Sequence, residues 1–471
     1  MVGQQGHWGM PAAGMPLEEA IVQEFAANLR GELIRPEDDG YDATRAVFNG
    51  MIDKRPAMIV RCAGTSDVIQ GVNFARTHDL LLSVHGGGHS VAGNAVSDGG
   101  LMLDLSPMKG IRVDPVRRIA QAQAGLTLGE FDHETQAFGL TTTLGVVSVT
   151  GIAGLTLGGG LGWLNGKHGL TCDNLLLADV VTADGRLLTA SDEENEDLFW
   201  GVRGGGGNFG VVTSFEYRLH PVGPVLGGGL RYPAAQARDF LRFYHEFAST
   251  CPDELSTAAS LGHAPDGSVV VGVAVCFCGP IEAGERVLHP LRTFGSPLED
   301  NIQPMSYQTL QSAPDAGFPL GRQHYWKSSY LNDMSDEAIE VMLQFVAEMP
   351  SLISGVGLQQ MHGAASRVDP AATAFLHRDE HYDFLILSQW AHPSDSQENI
   401  KWTRAFFEAM QPFFERGVYV NNLGEEGEAR VKEAYGEHYE QLVALKDKYD
   451  PTNLFRLNQN IRPRAQSDVT P

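Results

Sequence analysis

Apolar residues recur three and four positions apart over residues 17–29, which predicts a helix after a lead-in rich in Gly, Gln and Pro. Residues 55–61 (Arg-Pro-Ala-Met-Ile-Val-Arg) predict a strand, residues 66–78 a helix with Ser66 as its N-cap, and residues 81–84 a second strand. A glycine triplet then follows a strand end, where ligand loops lie. Residues 101–105 and 119–124 predict further short strands, and residues 180–189 a hairpin turning at Ala183-Asp184-Gly185-Arg186. Residues 196–202 predict a helical turn that runs into the glycines of 204–207, with a strand over 210–219 after it.

The pattern changes across residues 221–229. From there to about Pro412, helices (234–247, 335–349) alternate with strands (269–277, 381–390), a separate α+β layer. A last helix is predicted over 429–448, ahead of Tyr449-Asp450-Pro451 and Asn458-Gln459-Asn460-Ile461. We divide the chain into a flexible lead-in (1–16), a first unit (17–220), a second unit (221–412) and a C-terminal segment (413–465) that returns to the first.

Composition narrows the class. At 471 residues the chain is long for one core, so two to three domains are expected. Hydrophobic residues make up 43% and charged residues 20%, as in ordinary globular proteins. The net charge of −24 is spread along the chain, which argues against nucleic acid or an anionic membrane as partner. No run approaches the roughly 20 apolar residues of a membrane helix. The lead-in lacks an apolar signal core, so a cytoplasmic location is expected, with the oligomeric state left open. Five cysteines (62, 172, 251, 276, 278) are too few and too irregular for a disulfide framework. Cys276 and Cys278 fall in an alternating strand pattern and read as buried thiols.

Two nucleophiles stand beside glycine-rich stretches. His89 lies in Ser83-Val84-His85-Gly86-Gly87-Gly88-His89-Ser90, and Cys172 in Lys167-His168-Gly169-Leu170-Thr171-Cys172-Asp173-Asn174, just past a glycine-rich zone over 145–162. Glycine runs let backbone N–H groups reach a phosphate or an isoalloxazine ring, and a nucleophile at the edge can bond to the cofactor. From spacing alone, Cys172 stays open between that role and a buried thiol. Residues 205–210 match GxGxxG, but a helix precedes them and a β-branched run follows, the reverse of the dinucleotide-binding order. His85 and His89 are four apart, a zinc spacing only on a helix; three glycines intervene, so no metal site is expected.

With these motifs in hand, the sequence resembles the berberine bridge enzyme-like branch of the vanillyl-alcohol oxidase flavoproteins, with their PCMH-type FAD-binding domain. The resemblance runs over about 55–463 and is strongest in four blocks: 83–93, 150–174, 197–215 and 449–463. It implies an α+β fold: FAD held between two subdomains, and a substrate domain whose antiparallel sheet is covered by helices. It further implies bicovalent FAD, with His89 bonded to the flavin 8α carbon and Cys172 to C6. A thiolate is needed for the second bond, so an electropositive site near Lys167 or His168 is expected. Other implied FAD contacts are His85, Gly86, Gly87, Gly88 and Ser90 in the first loop, and Gly145, Ser148, Thr150, Gly151, Gly154 and Gly158 in the second. Gly207, Val212, Asn458 and Asn460 complete the set. Relatives often carry arginine at the position of His85, so its fixed charge is missing here unless the imidazole is protonated.

The implied reaction is hydride transfer from an alcohol carbon of a sugar or bulky secondary metabolite to the flavin, with O2 as acceptor and H2O2 as product. Sugar-oxidising relatives place a tyrosine base where this chain has Asn422, in Tyr419-Val420-Asn421-Asn422. An amide accepts no proton, which leaves Tyr419 as the catalytic candidate. Tyr325, Tyr330 and His377 come next, and Gln359, Gln360 and Gln389 are candidates for binding substrate. Ile152 matches the small residue that controls oxygen access in relatives and leans toward an oxidase. A dehydrogenase with another acceptor, an oxidative cyclase and a flavin-binding protein without turnover stay open as alternatives.

Overall fold

The computed structural model describes residues 17–467, so the lead-in over 1–16 lies outside the described residues. A four-stranded sheet comes first, ordered Glu32–Ile34, Met58–Arg61, Leu101–Asp104 and Leu82–His85. Its last three strands run parallel, so the glycine triplet leaves the C-terminal edge of Leu82–His85. A five-stranded antiparallel sheet follows, with Val211–Arg218 in the middle between Ile119–Gln123 and Leu175–Val181. The expected hairpin is present: Leu175–Val181 pairs antiparallel with Leu187–Ser191 across the predicted turn.

The third layer is an eight-stranded antiparallel sheet. Its central order is Val225–Pro233, Val269–Phe277, Leu255–His263, Gly355–Met361, His381–Trp390 and Gln323–Leu331. Helices Ala237–Ala248, Asp336–Ala347 and Ser396–Met410 cover one face, where Tyr382, Phe384 and Ile386 share a core with Phe240, Met342 and Phe406. Side chains alternate along a strand, so Asp383, Leu385 and Leu387 point to the other face, toward a cavity. The predicted α+β class, with an antiparallel sheet covered by helices, is the architecture found. Val418, Leu442, Phe455 and Ile461 pack in one core with Val60, Leu103 and Phe215.

Two local expectations differ. Helix Thr65–Thr77 is capped by Gly64 and not Ser66, because Asp67 fixes the turn by accepting the amides of Arg30, Gly31 and Ala63 at 2.8, 3.0 and 2.7 Å. The helix predicted over 429–448 is two, Glu428–Tyr435 and Tyr439–Tyr449. Gly436 breaks it with φ +49°, a conformation that glycine adopts without strain.

Candidate active site

The glycine loops and the inner face of the eight-stranded sheet enclose a cavity of about 530 Å³. Gly86, Gly87, Gly88, His89 and Ser90 line it on one side. None of their backbone amides donates to another group among the described residues. Consecutive free N–H groups on a cavity wall form an anion nest, suited to a pyrophosphate. Gly88 takes φ +63°, and a Cβ there would meet His85 Nε2 at 2.5 Å. Gly145, Thr150, Gly151, Gly154 and Gly158 line the cavity from the second loop, and Gly207, Val212 and Asn458 from beyond it.

The His89 ring stacks on Phe48 at 4.0 Å, and its buried Nε2 has no hydrogen-bond partner. Burial lowers its pKa to about 4, so the imidazole is neutral and nucleophilic at neutral pH. Asn458 donates through Nδ2 to the carbonyls of Gly207 (3.2 Å) and Phe455 (3.0 Å), while its Oδ1 is unpartnered. Lys446, which sequence reasoning missed, ties these loops together. Fully buried, its Nζ donates to Asn208 O at 2.9 Å, Phe455 O at 2.8 Å and Asp450 Oδ2 at 2.7 Å. An amide nest, a neutral imidazole with a free nitrogen and a cavity of about 530 Å³ fit FAD.

A family model described as FAD binding domain matches residues 56–191, and one described as berberine and berberine like matches residues 418–462. A FAD-linked oxidoreductase of Dictyostelium discoideum is 33% identical over 94% of this chain and 97% of its own length. The chain belongs to the berberine bridge enzyme-like FAD-linked oxidoreductases. Within this family, (R)-6-hydroxynicotine oxidase of Paenarthrobacter nicotinovorans is 32% identical over 93% of this chain and 98% of its own. The solved 6-hydroxy-D-nicotine oxidase of Arthrobacter nicotinovorans superposes with a TM-score of 0.85 at 31% identity, covering 93% of this chain and 98% of that one. The protein is therefore an FAD-dependent oxidoreductase.

Part of the residue set that the resemblance implies lines the cavity, and part lies off its wall. The Cys172 sulfur is fully buried beside Leu161, Leu170, Tyr330, Met361 and Phe375, and Cys172 is not on the cavity wall. Burial and the neighbouring Asp173 push its thiol well up, away from the thiolate a bond to C6 needs. Lys167 does not serve it: its Nζ lies 3.7 Å from Glu254 and 3.4 Å from the Cys278 carbonyl. His168 does not either, because burial lowers its pKa to about 3 and leaves it neutral against His220. The cations that act on the thiol are Arg378 and Arg203. Arg378, buried, holds Asp173 through two 2.8 Å bonds.

His85 lies beneath its loop, with Nδ1 3.2 Å from Asp104, outside the cavity wall. Ser148 turns to Asp315, its amide donating at 2.9 Å, and Asn460 also lies off the wall with Oδ1 unpartnered. Ile152 is fully enclosed at the start of helix Ile152–Leu157; Ala153 and Gly151 face the cavity in its place. Of the substrate candidates only Gln359 lines the cavity. Tyr330 and His377 share a small separate pocket, where His377 Nε2 bonds the Ala434 carbonyl at 3.1 Å. Gln389 is occupied by Arg322 and the Ile353 carbonyl, and Gln360 by Thr257 and the Ala248 carbonyl. Tyr325 bonds Arg404, an exposed contact.

Tyr419 does line the cavity, but its hydroxyl oxygen already accepts from Gly160 N, Leu161 N and Asn421 Nδ2, and burial raises its pKa to about 12. The group sequence reasoning missed is Asp383, wholly buried on the cavity wall. Its Oδ2 accepts from Asn422 Nδ2 at 2.7 Å and its Oδ1 from Ser328 at 3.0 Å. Burial raises its pKa to about 6 against those two bonds. Asn422, where the resemblance led us to expect a tyrosine base in sugar-oxidising relatives, orients a carboxylate here. A carboxylate inside the otherwise apolar run 382–387 was the available signal, since Asp is depleted in strands.

Proposed function

We propose that the protein is an FAD-dependent oxidase in which Asp383 takes a proton from a small-molecule substrate as hydride leaves its carbon. The single observation that carries this is a buried carboxylate, poised near neutral pKa, on the wall of the cavity that also holds His89. At pH 7 such a group is mostly ionised, yet it holds a transferred proton readily, as a general base should. The flavin supplies the two-electron sink. The names of the nicotine-oxidising relatives support O2 as the acceptor and H2O2 as product. Asn422 and Ser328 fix the carboxylate's position, and the amides of residues 86–90 would hold the pyrophosphate of bound FAD. Free thiols at all five cysteines suit a reducing compartment, and we place the protein in the cytoplasm.

The neutral, unpartnered His89 imidazole supports one covalent bond to the flavin. A second bond, at Cys172, is the bicovalent reading; its enclosed, protonated sulfur speaks for a single tether. Proteolysis of the holoprotein should put flavin mass on the His89 peptide and leave the Cys172 peptide unmodified; flavin on the latter restores two tethers. Asp383→Asn keeps the shape and should slow anaerobic flavin reduction by about 10²–10⁴-fold. An unchanged rate removes Asp383 as base. Rapid reoxidation in air with stoichiometric peroxide identifies an oxidase, whereas slow reoxidation with fast turnover on an artificial acceptor identifies a dehydrogenase.

A further inference from the structure

The chain between strands Gln303–Met305 and Gln323–Leu331 of the eight-stranded sheet crosses to the glycine loops. Helix Tyr307–Ser312 is short, because Pro314 has no N–H to continue it, and the tight turn Asp315–Gly317 follows. Side chains of this crossing reach into the FAD-binding half. Gln308 Nε2 donates to the Asp132 carbonyl at 3.3 Å, and Gln311 Nε2 donates to the Gly145 carbonyl. Asp315 takes hold of the loop itself. Its Oδ1 accepts from the Ser148 amide at 2.9 Å and its Oδ2 from Ser148 Oγ at 2.5 Å.

Two bonds to one residue fix the loop in place and in rotation, and a charged acceptor strengthens each of them. The other edge of the loop is held by helix Leu128–Gln136, where the Gly129 and Leu128 amides donate to the Ser148 and Thr150 carbonyls at 2.9 Å each. Ser148 is thus gripped from two sides. Gly145, Val146, Val147, Thr150 and Gly151 line the cavity, whereas Ser148 and Asp315 lie off its wall. The contacts run on from there. A Cβ on Gly151 would lie 2.5 Å from the Gly87 amide nitrogen, so the loop that Asp315 holds bears directly on the amide nest. The Phe318 amide donates to the Asp315 carbonyl at 2.9 Å, and the Phe318 ring lies on the cavity wall 6.5 Å from Phe48, which stacks on His89. Asp315 also supplies the charge that acts on the His89 imidazole. It therefore stands at the His89 end of the cavity.

We propose that Asp315 is a positioning residue for the flavin: through Ser148 it holds the 145–151 loop, and with it the amides of 86–90, in the form that receives FAD. Ser148 is its handle and not a cofactor contact. The role is independent of which residue acts as base. It also ties the cofactor loops to the layer that carries Asp383, so that seating of the eight-stranded sheet and shaping of the flavin site are one event. A bond that only stiffened the fold would change the melting temperature and leave the surroundings of the flavin as they are.

Asp315→Ala, Asp315→Asn and Ser148→Ala, each purified as the holoenzyme, separate the two roles. The flavin-to-protein ratio, the visible circular dichroism of the bound flavin and the melting temperature are read on every variant. Asp315→Ala should lower the ratio at least about twofold and alter the dichroism of the flavin that remains. Asp315→Asn keeps an oxygen for the Ser148 amide and should restore both. Ser148→Ala should lower the ratio in the parent and have no further effect in the Asp315→Ala background, where its partner is already gone. A parental ratio and dichroism in Asp315→Ala, whatever its melting temperature, overturn the proposal. Equal losses from Ser148→Ala in both backgrounds overturn it too, because the two residues then act apart. If Asp315→Ala yields no folded protein, Ser148→Ala decides alone. Altered flavin dichroism at a parental melting temperature supports the proposal, and parental dichroism overturns it.

Discussion

Three donors converge on the Tyr419 hydroxyl oxygen, the amides of Gly160 and Leu161 at 2.9 and 3.2 Å and the Asn421 side chain at 2.8 Å. A neutral phenol has two lone pairs, so the oxygen is saturated as an acceptor and serves to pin the 158–161 glycine turn. Tyr419→Phe strands those donors in a buried site and should cost about 1–3 kcal/mol of stability, measured by denaturant unfolding. The shape of the pH profile for flavin reduction should stay as in the parent. Lost basic-limb dependence with unchanged stability would instead make Tyr419 the base. His89 was legible in the sequence because its glycine context is local, spanning eight residues of one loop. Asp383 was not, because its surroundings come from Ser328 and Asn422, which only tertiary packing brings to it.

The two glycine loops meet backbone to backbone. A Cβ on Gly87 would lie 2.4 Å from Gly151 N and 2.6 Å from its Cα, so neither loop can yield without moving the other. Gly87→Ala should therefore cost about 1–3 kcal/mol and lower the flavin-to-protein ratio of the purified enzyme. Gly223→Ala, where nothing lies within 4 Å, is the control. Full flavin loading and an unchanged melting temperature in Gly87→Ala would disprove the close packing. Elements were read well where their signal is short-range: Glu196–Val202, Val269–Phe277 and His381–Trp390 fall where apolar periodicity put them. Cross-strand register was not readable. Periodicity gives which residues of Gly355–Met361 share a face, but only pairing with Leu255–His263 and His381–Trp390 turns Gln359 to the cavity and commits Gln360 to Thr257 and Ala248.

At the scale of the whole molecule, histidines that burial lowers outnumber carboxylates that it raises among the described residues, and this sets the response to acid. Burial lowers His89 and His220 to about 4 and His168, His324 and His381 to about 3, from 6.5, and it lowers His362 and His377 as well. As pH falls from 6.5 toward 4, the unfolded chain takes up a proton at each of these while the native protein does not. Their contribution to stability is thus present above 6.5 and lost on acidification. Asp132 and Asp383 act in the opposite sense: burial raises them to about 7 and about 6 from 3.8, so the native protein takes up those protons first. Seven against two leaves a net uptake on unfolding. The melting temperature should hold above pH 7 and fall steadily from about pH 6.5 to pH 4.5. His324 is the cleanest single contributor, fully buried with neither ring nitrogen hydrogen-bonded. His324→Leu should make the decline shallower by up to about 1.4 kcal/mol per pH unit. A melting temperature that stays level or rises between pH 7 and pH 5 would show that these imidazoles are protonated in the native protein, with solvent or one another as partners.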